Sequence, residues 1–310
     1  MLLVVAESSG SSPGRSGYKM AVAADGELIG SIGGGIMEVR LVEQAKVKSK
    51  KAIGKNRSEI RNPQSEISEQ VHQKTSPNSS GMICSGKQTV IFRLLTPEHT
   101  EKIAAIIKAL EERASAFLIM TTTQFSVEPP EGGTQNKDFK FEKLADGEFT
   151  YFERLGPTNE LYIVGGGHCA LALSELMSKM DFHIRIFDDR HELNTLDKNR
   201  FADQIEVVKN YEKISDHIPS APNAYVVVMT LGYAFDKIVI QRLLAKEFKY
   251  FGVLGSRAKM TTLMRELEKE GFDADKLARI RTPIGLPINS RTPEEIAVSI
   301  AAEIIAVKNA

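Results

Sequence analysis

The sequence predicts an α/β protein in two parts: an N-terminal mixed α/β domain and a C-terminal domain built on a doubly wound parallel sheet. Three observations carry this. In Leu161-Tyr-Ile-Val-Gly165-Gly-Gly167-His-Cys-Ala170, apolar residues run straight into glycines, and Ala170-Leu-Ala-Leu-Ser-Glu-Leu-Met follows at helical spacing. From there on, β-branched strands alternate with helical stretches, as parallel sheets require. Before it, short strand-like runs are joined by hairpin signals such as Asp25-Gly26.

Gly165, Gly167 and Ala170 fit the G-x-G-x-x-G/A dinucleotide fingerprint. The first glycine permits the tight turn, the second lets a pyrophosphate approach the backbone, and the small third residue lets helix and strand pack closely. The free N–H groups of the helix start favour an anion. His183-Ile-Arg-Ile-Phe187 is a second strand, ending in Asp188-Asp189. Asp188 lies 23 residues past Gly165, close to where a ribose-binding carboxylate is expected. The order of strand, glycines and acid marks a Rossmann-like domain; the plainer alternative is a structural turn with a solvated Asp pair.

A chain of 310 residues suits two domains with cores of their own. Forty basic residues balance 40 acidic ones, so no basic surplus drives nucleic-acid binding. Cys84 and Cys169 cannot form a disulfide framework and suit a reducing cytosol. No apolar run is long enough to span a bilayer. Met1-Leu-Leu-Val-Val-Ala6 lacks a basic region and reads as a strand, which points to an abrupt start with a leading helix absent or shortened.

In order, residues 2–6 form a strand and residues 7–15 a polar, glycine-rich loop. A hairpin of residues 18–32 leads to Gly33-Gly34-Gly35, and a helix runs from Ile36 to Ala45. Consecutive N–H groups at this turn can form an anion nest, or the turn simply needs glycine. From Lys46 to Ser80 the polar composition predicts a frayed helix end and a mobile loop. A strand at 88–95, an amphipathic helix from Thr100 to Ala114, a strand at 116–120 and hairpins over 124–153 complete the first domain, residues 1–153. Residues 154–160 form a linker marked by Gly156-Pro157, and residues 161–310 form the second domain. There, strands at 204–208, 224–230 and 250–254 alternate with helices. Thr292-Pro293-Glu294-Glu295 is a capping box with proline at the first helical position, and it opens the last helix.

Several residues invite chemistry. Cys84, between Gly81 and Gly86, suits a soft metal ligand or sulfur acceptor, or is a small inert packing residue. His168 sits in the glycine turn as a ligand hydrogen-bonder or a solvated histidine. Glu38, on the first turn after Gly33–Gly35, faces a ligand or favours the helix dipole. Gly255-Ser256-Arg257 opens a helix after a strand, a place for a phosphate or a solvated helix start. The histidines show no metal-ligand spacing and no G-x-S-x-G elbow occurs, so no catalytic set is assigned.

Taken together, these motifs resemble those of the xanthine dehydrogenase accessory factor family, the XdhC/CoxI proteins. Glu7-Ser-Ser-Gly-Ser-Ser-Pro-Gly, Gly30-Ser-Ile-Gly-Gly-Gly-Ile-Met-Glu38 and Gly81-Met-Ile-Cys84-Ser-Gly86 resemble the landmarks of its first half. Ile163-Val-Gly-Gly-Gly-His168, Phe187-Asp-Asp-Arg190, Gly255-Ser-Arg257, Pro283-Ile-Gly-Leu286 and Arg291-Thr-Pro-Glu-Glu-Ile296 resemble those of its second half, in order. The resemblance implies an XdhC/CoxI-type N-terminal domain and a cytoplasmic, non-catalytic maturation factor. Such a protein binds the molybdenum cofactor, as molybdopterin or a dinucleotide form, and shields it during sulfuration. It then passes the cofactor to an apo molybdenum hydroxylase of the xanthine dehydrogenase type. A cofactor sulfurase is a further partner, nucleic acid and membrane are not, and a homodimer is expected. On this reading Cys84 lies near the molybdenum, Gly33, Gly34, Gly35 and Glu38 line an N-terminal site, and Gly165, Gly167, His168 and Asp188 hold a nucleotide-like part. Three positions depart from the family pattern: Ile36 stands where many relatives carry cysteine, Ser85 replaces a glycine, and Leu231 follows Thr230 where a histidine is common. The alternative is an NAD(P)-dependent oxidoreductase using the second domain, which explains only half of the chain.

Overall fold

Strand β1 (Leu2–Gly10) is apolar on both faces because it lies in the middle of a sheet with a core on either side. The computed structural model describes residues 1–53, 64–72, 86–112, 114–129 and 139–310. The chain divides into two units, Met1–Gly156 and Pro157–Ala310. In the first, β1 is followed by β2 (Lys19–Val22), β3 (Leu28–Gly30), α1 (Gly35–Ile53), β4 (Ser65–His72) and β5 (Gly86–Arg93). The five strands form one sheet in the order β3-β2-β1-β5-β4. Leu3, Val5, Val90 and Phe92 face one way and pack on Met37, Leu41 and Ala45 of α1. Leu2, Val4, Ala6 and Ile91 face the other. They pack against α2 (Thr100–Glu111) and a second sheet of β6 (Ala116–Thr121), β7 (Phe125–Glu128), β8 (Phe139–Lys143) and β9 (Phe149–Leu155). This sheet is antiparallel, in the order β7-β6-β9-β8.

This unit differs from the expected elements at β1, α1 and β4. Strand β1 continues through a bulge at Val5/Glu7 to Gly10, where a loop is expected, because β5 pairs with it along its whole length. Helix α1 extends to Ile53 rather than fraying after Ala45. Residues 65–72, expected within a mobile loop, form β4 against β5. The ladder and a cross-strand Lys87–Glu69 pair at 3.5 Å hold a polar edge strand whose composition carries no strand signal. The rest of that expected loop, and the Pro130 and Gly132-Gly133 turn, lie outside the described residues.

The second unit contains β10 (Asn159–Val164), α3 (His168–Met177), β11 (Phe182–Asp188), α4 (Asn194–Asp197), β12 (Gln204–Val207), α5 (Ile214–His217) and β13 (Ala221–Val228). These are followed by α6 (Tyr233–Leu243), β14 (Phe248–Val253), α7 (Arg257–Lys269), α8 (Ala274–Ala278) and α9 (Pro293–Lys308). All neighbouring strands are parallel, in the order β12-β11-β10-β13-β14. The doubly wound sheet is therefore as expected, with α3 and α9 over one face and α6 and α7 over the other. The chain winds outward from β10 to β12 and then returns to β13, so the strand order reverses between β10 and β13. Ligands of such sheets bind in the crevice at that switch point, beyond the carboxyl ends of the strands. Much of the expected 154–160 linker is strand: β9 ends at Leu155 and β10 begins at Asn159.

The capping box of α9 forms as its spacing dictates. Glu295 donates its N–H to the Thr292 hydroxyl at 3.3 Å, and its carboxylate accepts from the N–H groups of Thr292 and Arg291. Thr292→Ala is expected to destabilise the unit by about 1 kcal/mol, read from the midpoint of urea unfolding. Among the described residues, no helix is long and apolar enough to cross a membrane.

Candidate functional site at the sheet switch point

The crevice is built on the turn between β10 and α3. Gly165 has φ +107, and a Cβ there would lie 2.3 Å from the Met229 carbonyl oxygen at the end of β13. Only glycine lets the two strand ends approach this closely. Gly166 donates its N–H to Asp188 Oδ2 at 2.6 Å, and its carbonyl accepts from the Thr195 hydroxyl at 2.5 Å. Gly167 is different. It is the N-cap of α3, with φ −70 and ψ −170, and a Cβ on it would meet nothing within 4 Å. Among the described residues no side chain caps α3, so its first-turn N–H groups keep their donors for an anion, and His168 stands exposed beside them.

Asp188 does not offer itself to a ribose. It is fully buried, and both oxygens are engaged. Oδ1 accepts from the Arg190 N–H at 2.9 Å and from Nε at 2.8 Å; Oδ2 accepts from Arg190 Nη2 at 2.7 Å and from Gly166. Burial pushes this carboxyl up, but the hydrogen bonds from Arg190 and Gly166, with the guanidinium charge, outweigh it and hold the group below the ordinary carboxylate range. The acid expected to hold a nucleotide instead fixes the glycine turn to Arg190. Sequence reasoning did not single out Arg190 as a site residue, although its place two residues after the acid was visible. Its Nη1 has no protein partner among the described residues.

Ser256 and Arg257 lie after the carboxyl end of β14, on the same edge of the sheet as the glycine turn. The Ser256 hydroxyl caps α7 by accepting from Lys259 N–H at 3.3 Å, while Arg257 is exposed. Nearby, buried Asp236 accepts from Thr230 Oγ1 at 2.5 Å and from Lys259 Nζ at 2.8 Å, tying the end of β13 to α6 and α7. The sequence does not show this meeting of Thr230, Asp236 and Lys259, because it depends on tertiary structure. Cys169, the second residue of α3, is a free cysteine; burial first, and then the charge of Glu294, push its thiol up, away from a reactive thiolate.

In the first unit, Gly33, Gly34 and Gly35 turn β3 into α1 with φ of +126, +75 and +71. The turn is not a vacant anion nest. Glu38 Oε2 accepts from the Ser31 hydroxyl at 2.7 Å, from Ile32 N–H at 2.9 Å and from Gly34 N–H at 3.0 Å. Burial would raise this carboxyl, but these bonds together with Gly33 N–H lower it. Glu38 is therefore an ionised brace of its own turn. Beneath it, fully buried Gln88 accepts from the Ser12 hydroxyl and donates to the Ile32 carbonyl, both at 2.8 Å, joining the two loops. Gln88→Ala strands both partners and is expected to lower stability by about 2 kcal/mol, measured as lost hydrogen-exchange protection in β5. Cys84 lies outside the described residues. Among the described residues, no three His, Cys, Asp or Glu side chains gather as a metal site.

Residues 161–304 match the model of the XdhC Rossmann domain, and residues 1–54 match that of the XdhC and CoxI family. The chain belongs to the XdhC and CoxI family. Among its relatives, a probable xanthine dehydrogenase subunit of Bacillus subtilis (strain 168) is 24% identical over 320 residues, covering 98% of this chain and 92% of that protein. An uncharacterized protein of Escherichia coli (strain K12), YqeB, is 27% identical over 156 residues; the match takes in 50% of this chain and only 28% of the relative's length. A crystal structure described as a xanthine dehydrogenase from Bacillus halodurans has the same fold, with a TM-score of 0.67 at 23% identity over 99% of this chain and 91% of the other.

Proposed function

We propose that this chain is a molybdenum cofactor-binding accessory protein that serves the maturation of a xanthine dehydrogenase-type molybdenum hydroxylase. Family membership and the xanthine dehydrogenase names of the relatives support the accessory role. The observation that carries the cofactor assignment is the uncapped start of α3, open above Gly167 at the switch point. The cofactor is a pterin bearing a phosphate, and that donor set fits a phosphate. When bound, the cofactor supplies the molybdenum centre that the client requires. In this reading the first-turn N–H groups of α3 bind the phosphate, Arg190, held on Asp188 through Nε and Nη2, offers its remaining N–H donors, and exposed His168 flanks the ligand. In the first unit, Glu38 keeps the glycine turn rigid. The reading places the protein in the cytoplasm with a cofactor sulfurase and the apo-hydroxylase as partners. The NAD-dependent alternative is weakened by Asp188, whose engaged oxygens leave no acceptor for a ribose hydroxyl.

The test is genetic. A host lacking this chain is expected to accumulate its molybdenum hydroxylase in an inactive, cofactor-free form, with activity at least about ten-fold down and restored by the intact gene. A fully loaded, active hydroxylase in that host would sink the proposal.

A further inference from the structure

We propose that a concavity beside β14 and α8 is a second site, one that takes a small multivalent phosphate. It has a volume of about 550 Å³ and is lined by Lys246, Lys249, Lys276, Arg279 and Arg281 against a single lining carboxylate, Glu247. Its walls begin at the amino end of β14, whereas the glycine turn lies at the carboxyl ends of the strands. The two sites are therefore distinct, and this inference does not depend on the cofactor reading.

The charge is what requires explanation. The chain as a whole is neutral, with 40 basic and 40 acidic residues, so counter-charges are not scarce. Yet among the described residues three of the five cations have none. Lys246 Nζ donates to the carbonyls of Ser215 and Ile218, which fix its position without neutralising it. Lys249 and Lys276 form no ion pair among the described residues. Arg279 meets Glu247 at 3.3 Å in a solvated pair that an incoming anion can displace. Arg281 lies over the Tyr250 ring at 5.9 Å and 3.4 Å from Glu303 Oε1, so it is only partly free. Like charges around a concave surface repel one another, and such a cleft focuses their field on a bound anion. A bound polyanion relieves that repulsion. Lysines act as point-charge partners for phosphate, and Arg279 adds a planar fork. The volume lies within the range of small-ligand sites.

The test is calorimetric titration of the full chain carrying Gly167→Asp, a change that fills the α3 start with its own cap. Inorganic pyrophosphate and ADP are the probes. The expected result is one pyrophosphate per chain, with affinity falling as salt is raised and at least about ten-fold weaker when K249A and K276A are added. ADP binding with the same dependence on both lysines identifies a nucleotide as an acceptable carrier of the phosphates. Lys249 is exposed and Lys276 half-buried, so the fold tolerates both changes. Absence of pyrophosphate binding at millimolar concentration overturns the proposal. So does binding indifferent to the two lysines, or binding of polyglutamate without pyrophosphate.

Discussion

Replacing Asp188 by alanine is expected to destabilise the second unit by about 3 kcal/mol, the lower end of the range for breaking a buried ion pair. The change removes the acceptor for four hydrogen bonds at once. Gly166 N–H is left buried without a partner, while Arg190, about one-third exposed, can turn to water and limit the loss. Asp188→Asn keeps the volume but loses the charge, and should fall between alanine and the native residue. The pH dependence has a definite sign. Because the folded carboxyl titrates below its unfolded value, its stabilisation is complete above about pH 4 and disappears as pH falls through the lower folded value. Hydrogen exchange of β10 and β11 as a function of urea and pH measures both effects. An Asp188→Asn protein with unchanged stability and the same acid dependence as the native chain would show that the carboxylate is not the brace described.

Gly165→Ala is expected to be at least as damaging. A Cβ there would come within 2.3 Å of the Met229 oxygen, 2.6 Å of its carbonyl carbon and 2.9 Å of Thr230 Cα, all of them backbone. They cannot retreat, because Met229 N–H donates to the Val164 carbonyl at 2.8 Å and holds β13 to β10. The positive φ adds strain of its own. A loss above about 3 kcal/mol, or failure to fold, is predicted. Gly167→Ala, two residues on, meets no described atom at φ −70 and loses only N-cap preference, so it should cost about 0.5–1 kcal/mol. Comparing the two by thermal unfolding separates the glycine needed for the turn from the one that leaves room for a ligand. Equal effects would remove that distinction.

Much of this was legible in the sequence, for physical reasons that can be named. The strand-turn-helix at Leu161–Met177 is coded locally by apolar runs and glycines, and the Thr292–Glu295 cap by a spacing of three. Strand β4 was not legible, because an edge strand such as Ser65–His72 draws its stability from the neighbouring ladder rather than from its own composition. The site residues divide along the same line. Gly165 and Gly167 follow from local spacing. That Glu38 closes on its own turn and Asp188 on Arg190 does not, since a carboxylate's position in sequence does not say which donors reach it first. Gln88 reads as an ordinary strand residue, and its bridging of two loops appears only when residues 12, 32 and 88 converge.

The central claim is tested most directly by the pterin content of the purified chain. The protein and its Gly167→Asp variant would be co-expressed with an active molybdenum-cofactor pathway, and the oxidised pterin released from each measured by fluorescence. Gly167 already has the extended backbone of an N-cap, so aspartate there should cap α3 itself and leave thermal stability equal or higher. The account predicts about one pterin per native chain and at least about ten-fold less in the variant. Folded native protein without pterin beside a loaded positive control, or equal retention by both proteins, would contradict it.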